Sequence, residues 1–304
     1  MIVSVSMRYS AHMKILYTSD IHTHPNHLFS LLSASKDEGV DAVVVGGDLI
    51  PHRLPTEDRF GIIDGQRMYL KETLIPAMER FRKGTDIPVY LDLGNDDLYL
   101  SRGVLEKYNG RFFNLLHMQR LPLTDAVDII GYMAVPPTPF QRKDWEKPDS
   151  RETPYPPSNR VRLTGYITKN GSLEETAIDP ASDDTIENDL SVLSRTIERP
   201  FIFVAHSPPY GTPLDVLDSG EHVGSGSIRR FIETWAKKGL LLSSLHGHIH
   251  EAPFRSGQIS TTIKGAICIN TGQHSTGNRP LRYVILSLNR DPLRVEIVKG
   301  VPKV

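Results

Sequence analysis

The chain has 304 residues, 39% of them hydrophobic and 23% charged, with a formal net charge of -1. That length and balance exclude a disordered or fibrous chain and allow one large core or two small ones. The near-zero charge lacks the basic excess of a nucleic-acid or anionic-membrane binder, and the single cysteine, Cys268, excludes an intrachain disulfide.

No apolar run reaches the roughly 20 residues of a spanning helix. Residues 1–12 carry no cationic segment followed by an apolar stretch. They are read as an N-terminal extension or alternative start ahead of Met13, and 13–304 as one domain of a soluble cytoplasmic protein. Cys268, inside Ala266-Ile267-Cys268-Ile269, reads as a small core hydrophobe.

Short aliphatic and β-branched runs follow one another, and each ends in polar residues. Residues 14–19 end in Asp20-Ile21-His22, and a helical spacing follows over 26–38. Residues 42–46 end in Gly47-Asp48, followed by helical spacing over 65–82. Residues 89–93 end in Gly94-Asn95-Asp96-Asp97. The stretch at about 136–184 is rich in proline and charge and reads as a surface insertion near the site, not a separate domain. Helical spacing returns over 184–197. Residues 201–205 end in His206, a helix is expected over 227–238, and residues 240–245 end in His246-Gly247-His248-Ile249-His250. The tail carries strands at 259–262, 266–270, 281–288 and 293–298 with no helix between them. Alternating strands and helices predict an α/β architecture, and the tail predicts an antiparallel portion and two packed sheets.

Polar residues at the carboxyl ends of such strands converge on one crevice. Here they are Asp20, His22, Asp48, Asn95, His206, His248 and His250. They offer oxygen and nitrogen but no sulfur, a donor set that suits divalent Mn, Fe, Co or Zn. On a continuing strand, residues two apart point the same way, so Asp20 and His22 would share a face, with Ile21 turned to the core. His248 and His250 would do likewise. Gly46-Gly47 and Gly94 would let the backbone turn beside the metal.

In order, Asp20-x-His22, Gly47-Asp48, Gly94-Asn95, His206 and Gly247-His248-x-His250 resemble the signature of calcineurin-like metallophosphoesterases. The loop Ser207-Pro208-Pro209-Tyr210-Gly211-Thr212, with His222-Val223-Gly224-Ser225 after it, is similar to predicted bacterial and archaeal phosphoesterases. The resemblance implies a four-layer α/β/β/α sandwich with two divalent ions at the strand ends. One ion would be held by Asp20, His22, Asp48 and His250, the other by Asp48, Asn95, His206 and His248, with Asp48 bridging. It implies hydrolysis of a small phosphomonoester or phosphodiester by a metal-bridging hydroxide. The near-neutral charge and the lack of a basic run disfavour a nuclease acting on DNA, and no membrane partner is expected.

The sequence departs from the family where Gly-Asn-His is usual and Asp96 stands in place of the histidine. An ionised carboxylate accepts hydrogen bonds but donates none. Asp96 itself and, as replacement donors, His52 and His222 are the catalytic candidates, and Arg53, His246 and His274 are further candidate substrate contacts. The alternative reading is a metal-binding interaction scaffold with weak or no catalysis and a protein partner.

Overall fold

The computed structural model describes residues 12–51, 61–158, 160–274 and 279–300. In chain order the first half holds β1 (His12–Thr18), α1 (His27–Asp37), β2 (Ala42–Val45), α2 (Gly61–Tyr69), α3 (Ile75–Gly84), β3 (Val89–Leu91), α4 (Tyr99–Leu105) and β4 (Asn114–Leu115). After these come β5 (Gln119–Pro122), β6 (Asp128–Tyr132), β7 (Thr164–Lys169), β8 (Ser172–Ala177), α5 (Ile186–Ser194), β9 (Phe201–Ala205), α6 (Gly226–Lys237), β10 (Leu241–His246) and α7 (Ala252–Ser256). The tail is β11 (Ser260–Ile263), β12 (Ala266–Asn270), β13 (Val284–Arg290) and β14 (Leu293–Lys299).

Two six-stranded sheets result, ordered β14-β13-β1-β2-β3-β4 and β11-β12-β10-β9-β6-β5. Each has four parallel strands, β1 to β4 in one and β12-β10-β9-β6 in the other. Antiparallel strands complete the edges. The tail is shared, with β11 and β12 joining the second sheet and β13 returning to pair with β1.

Side-chain alternation explains the layering. Along β9, Ile202 and Val204 enter the core shared by the two sheets, while Phe201, Phe203 and Ala205 face outward into a second core. On α6, Ile228, Phe231, Ile232 and Trp235 recur at helical spacing and fill that second core. Phe231 packs against Phe203 with tilted rings, their centroids 4.6 Å apart. The first sheet is covered in the same way, with Leu28 and Leu31 of α1 and Met78 and Phe81 of α3 packed on it. Two sheets packed on one another and covered on their outer faces by helices give the expected four-layer α/β/β/α sandwich. Cys268 is fully buried, as expected for a core residue.

Several elements differ from the sequence reading. The single helix expected over 65–82 is interrupted by a π-helical turn at Leu70–Leu74. Pro76 lies two residues beyond it, and with no N–H it cannot bond to the carbonyl four residues back, which favours a widened turn there. The helix expected from Asp184 is capped instead by Thr185, whose side chain accepts from Asn188 N. Of the two serines that could start the next helix, Ser225 and Ser227, the cap is Ser225, which accepts from Ile228 N. Strands β4, β5 and β6, and helix α4, were not among the expected elements. The proline-rich stretch contains the β7–β8 hairpin and is partly buried, with Trp145 2% exposed. Strand β1 begins at His12, one residue before the expected start, and residues 1–11 lie outside the described residues.

Candidate metal centre

The carboxyl ends of the parallel strands of both sheets meet at one place. Tyr17 Oη donates to His246 O at 2.6 Å, and the His206 Nδ1 edge lies 2.7 Å from Gly46 O, so each sheet is tied to the other beside the site. The expected continuation of strand geometry through Asp20 and His22 does not occur. Strand β1 stops at Thr18, Asp20 turns into the left-handed region at φ 58°, and His22 sits in a 3-10 turn over Ile21–Thr23. Asp20 N donates to Gly47 O and His22 N to Asp48 O, both at 3.1 Å, so the β2 loop supplies the partners that a strand ladder would have given. His248, expected to extend β10, turns likewise at φ 66°, and Asp48 does so at φ 53°. Left-handed backbone at non-glycine residues costs about 1–3 kcal/mol each and tends to concentrate at functional sites. Ile21 is buried as expected, but through this turn rather than through alternation.

Close approach explains two of the glycines. Gly47 adopts φ 105°, and a Cβ on Gly94 would lie 2.2 Å from Asp48 Oδ1. The Gly94 loop therefore comes into contact with the Asp48 carboxylate, which a larger residue would displace.

Asp20, His22, Asp48 and His250 place one ligand atom each within 4.8 Å of one another. His22 Nδ1 is 3.4 Å and His206 Nε2 3.3 Å from Asp48 Oδ2. His250 Nε2 is 3.3 Å from Asp20 Oδ1, and His206 Nε2 lies 3.0 Å from Asn95 Oδ1. His248 packs against His206 with ring centroids 5.3 Å apart, and its backbone N–H donates to Asp20 Oδ1. The expected ligand residues thus gather in one pocket of imidazole, carboxylate and amide oxygen, with Asp48 central.

The charges are balanced inside the protein. Burial would lower the pKa of His206, but the adjacent Asp48 carboxylate raises it to about 9. Burial opposes ionisation of Asp48, yet His206 and His22 hold it well below the usual carboxylate range. Asp20 is also held low, chiefly by His250 working against burial. Buried carboxylates need positive partners. A divalent cation at this place would take over the role of the imidazolium, and the donors are those that such ions prefer. The residues therefore fit a metal centre.

A frame surrounds these residues. Asp97 accepts from Leu49 N, Ile50 N and Gly94 N at 2.9–3.0 Å, clamping the Asp48 loop to the Asn95 loop. Burial, and next the Asp48 charge, push its pKa up to about 8. Gln66 of α2 donates to Asp96 O and accepts from Leu98 N and Ser101 Oγ. The signals for Asp97 and Gln66 were not local. Asp97 stood in the expected motif without an assigned task, and Gln66 is far away in sequence.

The other candidates fall differently. Asp96 lies at the centre, its Oδ2 3.7 Å from His22 Nε2. His222 sits in the loop after His206, its Nδ1 2.8 Å from the buried Asp215 and its ring against Tyr210, and among the described residues it touches none of the ligand set. His246, expected as a possible contact, is fully buried. Its Nδ1 lies 2.9 Å from Ala205 O, and burial lowers its pKa to about 4, so it is a structural residue. His274 packs against the Phe254 ring at a tilt, with centroids 4.3 Å apart. His52 and Arg53 lie outside the described residues.

A profile of the calcineurin-like phosphoesterase family matches residues 13–252. An uncharacterised protein of Methanocaldococcus jannaschii, MJ1162, is 37% identical over 73 residues, which are 23% of this chain and 32% of that relative's length. The crystal structure of TT1561 of Thermus thermophilus is 17% identical and superposes with a TM-score of 0.53, covering 94% of this chain and 98% of that one. A further solved structure superposes with a TM-score of 0.57 at 15% identity, covering 95% of this chain and 99% of its own. At these identities the superpositions show a shared fold.

Proposed function

Because the chain belongs to the calcineurin-like phosphoesterase family, we propose that it is a metal-dependent hydrolase of phosphomonoesters or phosphodiesters. The observation that carries this is the gathering of Asp20, His22, Asp48 and His250 ligand atoms within 4.8 Å of one another. In this reading Asp20, His22, Asp48 and His250 hold one divalent ion. Asp48, Asn95, His206 and His248 hold the other, and Asp48 is shared. Bound divalent ions supply an acidified water and positive charge for phosphate oxygens.

The protein's own part is orientation and access. Asp97 fixes the Asp48 and Asn95 loops against one another through backbone N–H groups. Asp20, His22, Asp48 and His206 are buried, whereas His248, His250 and Asp96 remain partly exposed. A phosphoester would therefore approach over those three residues, with Asn95 and His206 behind it. No described helix is long and apolar enough to cross a membrane.

The test is elemental analysis after loading with Mn or Zn, followed by turnover of aryl phosphomonoesters and phosphodiesters. Two ions per chain and metal-dependent turnover are expected. Asp48→Asn should weaken both sites, and His22→Ala mainly one. A fully loaded protein inactive on every ester would replace this reading with the interaction scaffold.

A further inference from the structure

The proline-rich insertion brings a cation to the edge of the candidate centre. Arg142 Nη2 donates to Asp96 Oδ1 at 2.8 Å, while Asp96 Oδ2 lies 3.7 Å from His22 Nε2. The guanidinium is thus one carboxylate away from the ligand set. Its backbone is held on the edge of the hairpin, with Lys143 N donating to Tyr166 O at 2.8 Å and Tyr166 N to Gln141 O at 2.7 Å. Asp144 accepts from Tyr99 N, where α4 begins, and from Thr168 N in β7. Hairpin, insertion and the Asp96 loop are therefore joined around Arg142. Asp96 is fixed too, its N–H on Asp48 Oδ1 at 2.9 Å and its carbonyl on Gln66 Nε2 at 3.1 Å.

A partly exposed ion pair adds little to stability, about 0–1 kcal/mol. Electrostatics give this one another purpose. A bare carboxylate beside the centre would repel an incoming phosphate. With Arg142 laid on it, the approach side presents a planar fork of N–H donors, which matches phosphate oxygens. Among the described residues Asp96 is the one hydrogen-bond partner of the Arg142 side chain, which is 27% exposed, so donors remain for a ligand.

We propose that Arg142 binds the phosphoryl oxygens of the substrate and that Asp96 is its positioning residue. This rests on the phosphoesterase reading above and deepens it by naming a substrate class. A guanidinium supplies charge and hydrogen bonds but does not give up a proton in proteins. The guanidinium beside the position where the family has histidine thus cannot protonate a leaving oxygen. A water oxygen forms the new bond to phosphorus and releases its proton to solvent. The bond from phosphorus to the leaving oxygen breaks, and its electron pair departs with that oxygen as an anion. A site that relies on this guanidinium suits leaving groups that are already weakly basic, namely aryl phosphoesters and phosphoanhydrides, over alkyl esters.

The experiment uses the full chain loaded with Mn, as wild type, Arg142→Gln, Arg142→Lys, Arg142→Ala and Asp96→Asn, each with its metal content measured. Binding of inorganic phosphate by calorimetry is the readout that does not depend on turnover. Arg142→Gln should weaken it by about 10- to 100-fold, the range for losing hydrogen bonds to a charged group, and Arg142→Lys by less. Added guanidinium should restore turnover of aryl phosphates to Arg142→Ala. Asp96→Asn should raise KM more than it lowers kcat, at unchanged metal content. Wild-type turnover should fall steeply as the leaving group becomes more basic. Unchanged phosphate binding and kcat/KM in Arg142→Gln would overturn the role of Arg142 while leaving the phosphoesterase reading intact. Equal turnover of alkyl and aryl esters would overturn the substrate class. A loaded wild type that hydrolyses nothing would overturn the underlying reading and this inference together.

Discussion

At the scale of single residues, the centre depends on backbone conformations that side chains rarely adopt. Asp20, Asp48 and His248 all have positive φ, and each turn aims a candidate ligand that a regular strand would have aimed elsewhere. Gly94 marks the tightest approach, with its missing Cβ 2.2 Å from Asp48 Oδ1. Gly94→Ala should therefore displace the carboxylate and lower the bound metal per chain. Gly103→Ala, in α4 with nothing within 4 Å of the added carbon, should leave metal content unchanged and stabilise by about 0.5–1 kcal/mol. Elemental analysis and denaturant unfolding of the two variants check this, and equal metal content in both would show that the contact at Gly94 is tolerated. His206 supports a second prediction. Its pKa in the metal-free protein is raised to about 9 by Asp48, so a bound ion must displace a proton. Metal affinity should rise with pH up to about 9, with protons released on binding. The sign for stability is the reverse. A histidine raised above its unfolded value of about 6.5 stabilises the metal-free fold fully below that pH, and the contribution is lost as pH rises through about 9. Calorimetry in buffers of different ionisation enthalpy would reveal the protons, and zero release would contradict the pairing.

At the scale of elements, the insertion is anchored by a buried ion pair. Lys143 Nζ lies 2.7 Å from Glu146 Oε2, both side chains fully buried, and Thr138 donates to the same carboxylate. Burial lowers the Lys143 pKa, and burial raises that of Glu146 to about 7 against the pull of Lys143. Removing one partner leaves the other uncompensated, at a typical cost of about 3–5 kcal/mol. Lys143→Met should destabilise by that order, and Lys143→Met with Glu146→Leu should recover most of it. Urea unfolding of the single and double variants measures the difference, and additive losses would show that the two residues do not act as a pair. Because Lys143 follows Arg142 directly, the single variant should also weaken phosphate binding.

At the scale of the whole molecule, the ligand set draws on loops after β1, β2 and β3 in one sheet and after β9 and β10 in the other. An ion held between them links both sheets. Metal at 1,000 times its dissociation constant should stabilise the fold by about 4 kcal/mol, and a chelator should reverse this. Scanning calorimetry should show one cooperative transition moving to higher temperature. A transition that stays in place on loading would mean that the ion does not join the sheets.

The sequence alone determined the class of the protein because its signals are local. The apolar runs expected at 201–205 and 240–245 form β9 and β10, packed on both faces, and each is followed at once by polar residues that gather at the candidate centre. The family match over 13–252 agrees with that order of motifs. The residues that gather at the candidate centre were legible since short polar clusters after apolar runs need no knowledge of distant contacts. Orientation was not legible, because the left-handed turns at Asp20 and His248 are stabilised by hydrogen bonds to Gly47 O and to Asp20 Oδ1, which come from the other loops. The arginine at the mouth was invisible for the same reason. Arg142 and Asp96 stand 46 residues apart, and only the folding of a proline-rich stretch into a hairpin against α4 brings them together. Local pattern specifies which groups a strand end carries, whereas contacts between distant segments decide where those groups point and what stands beside them.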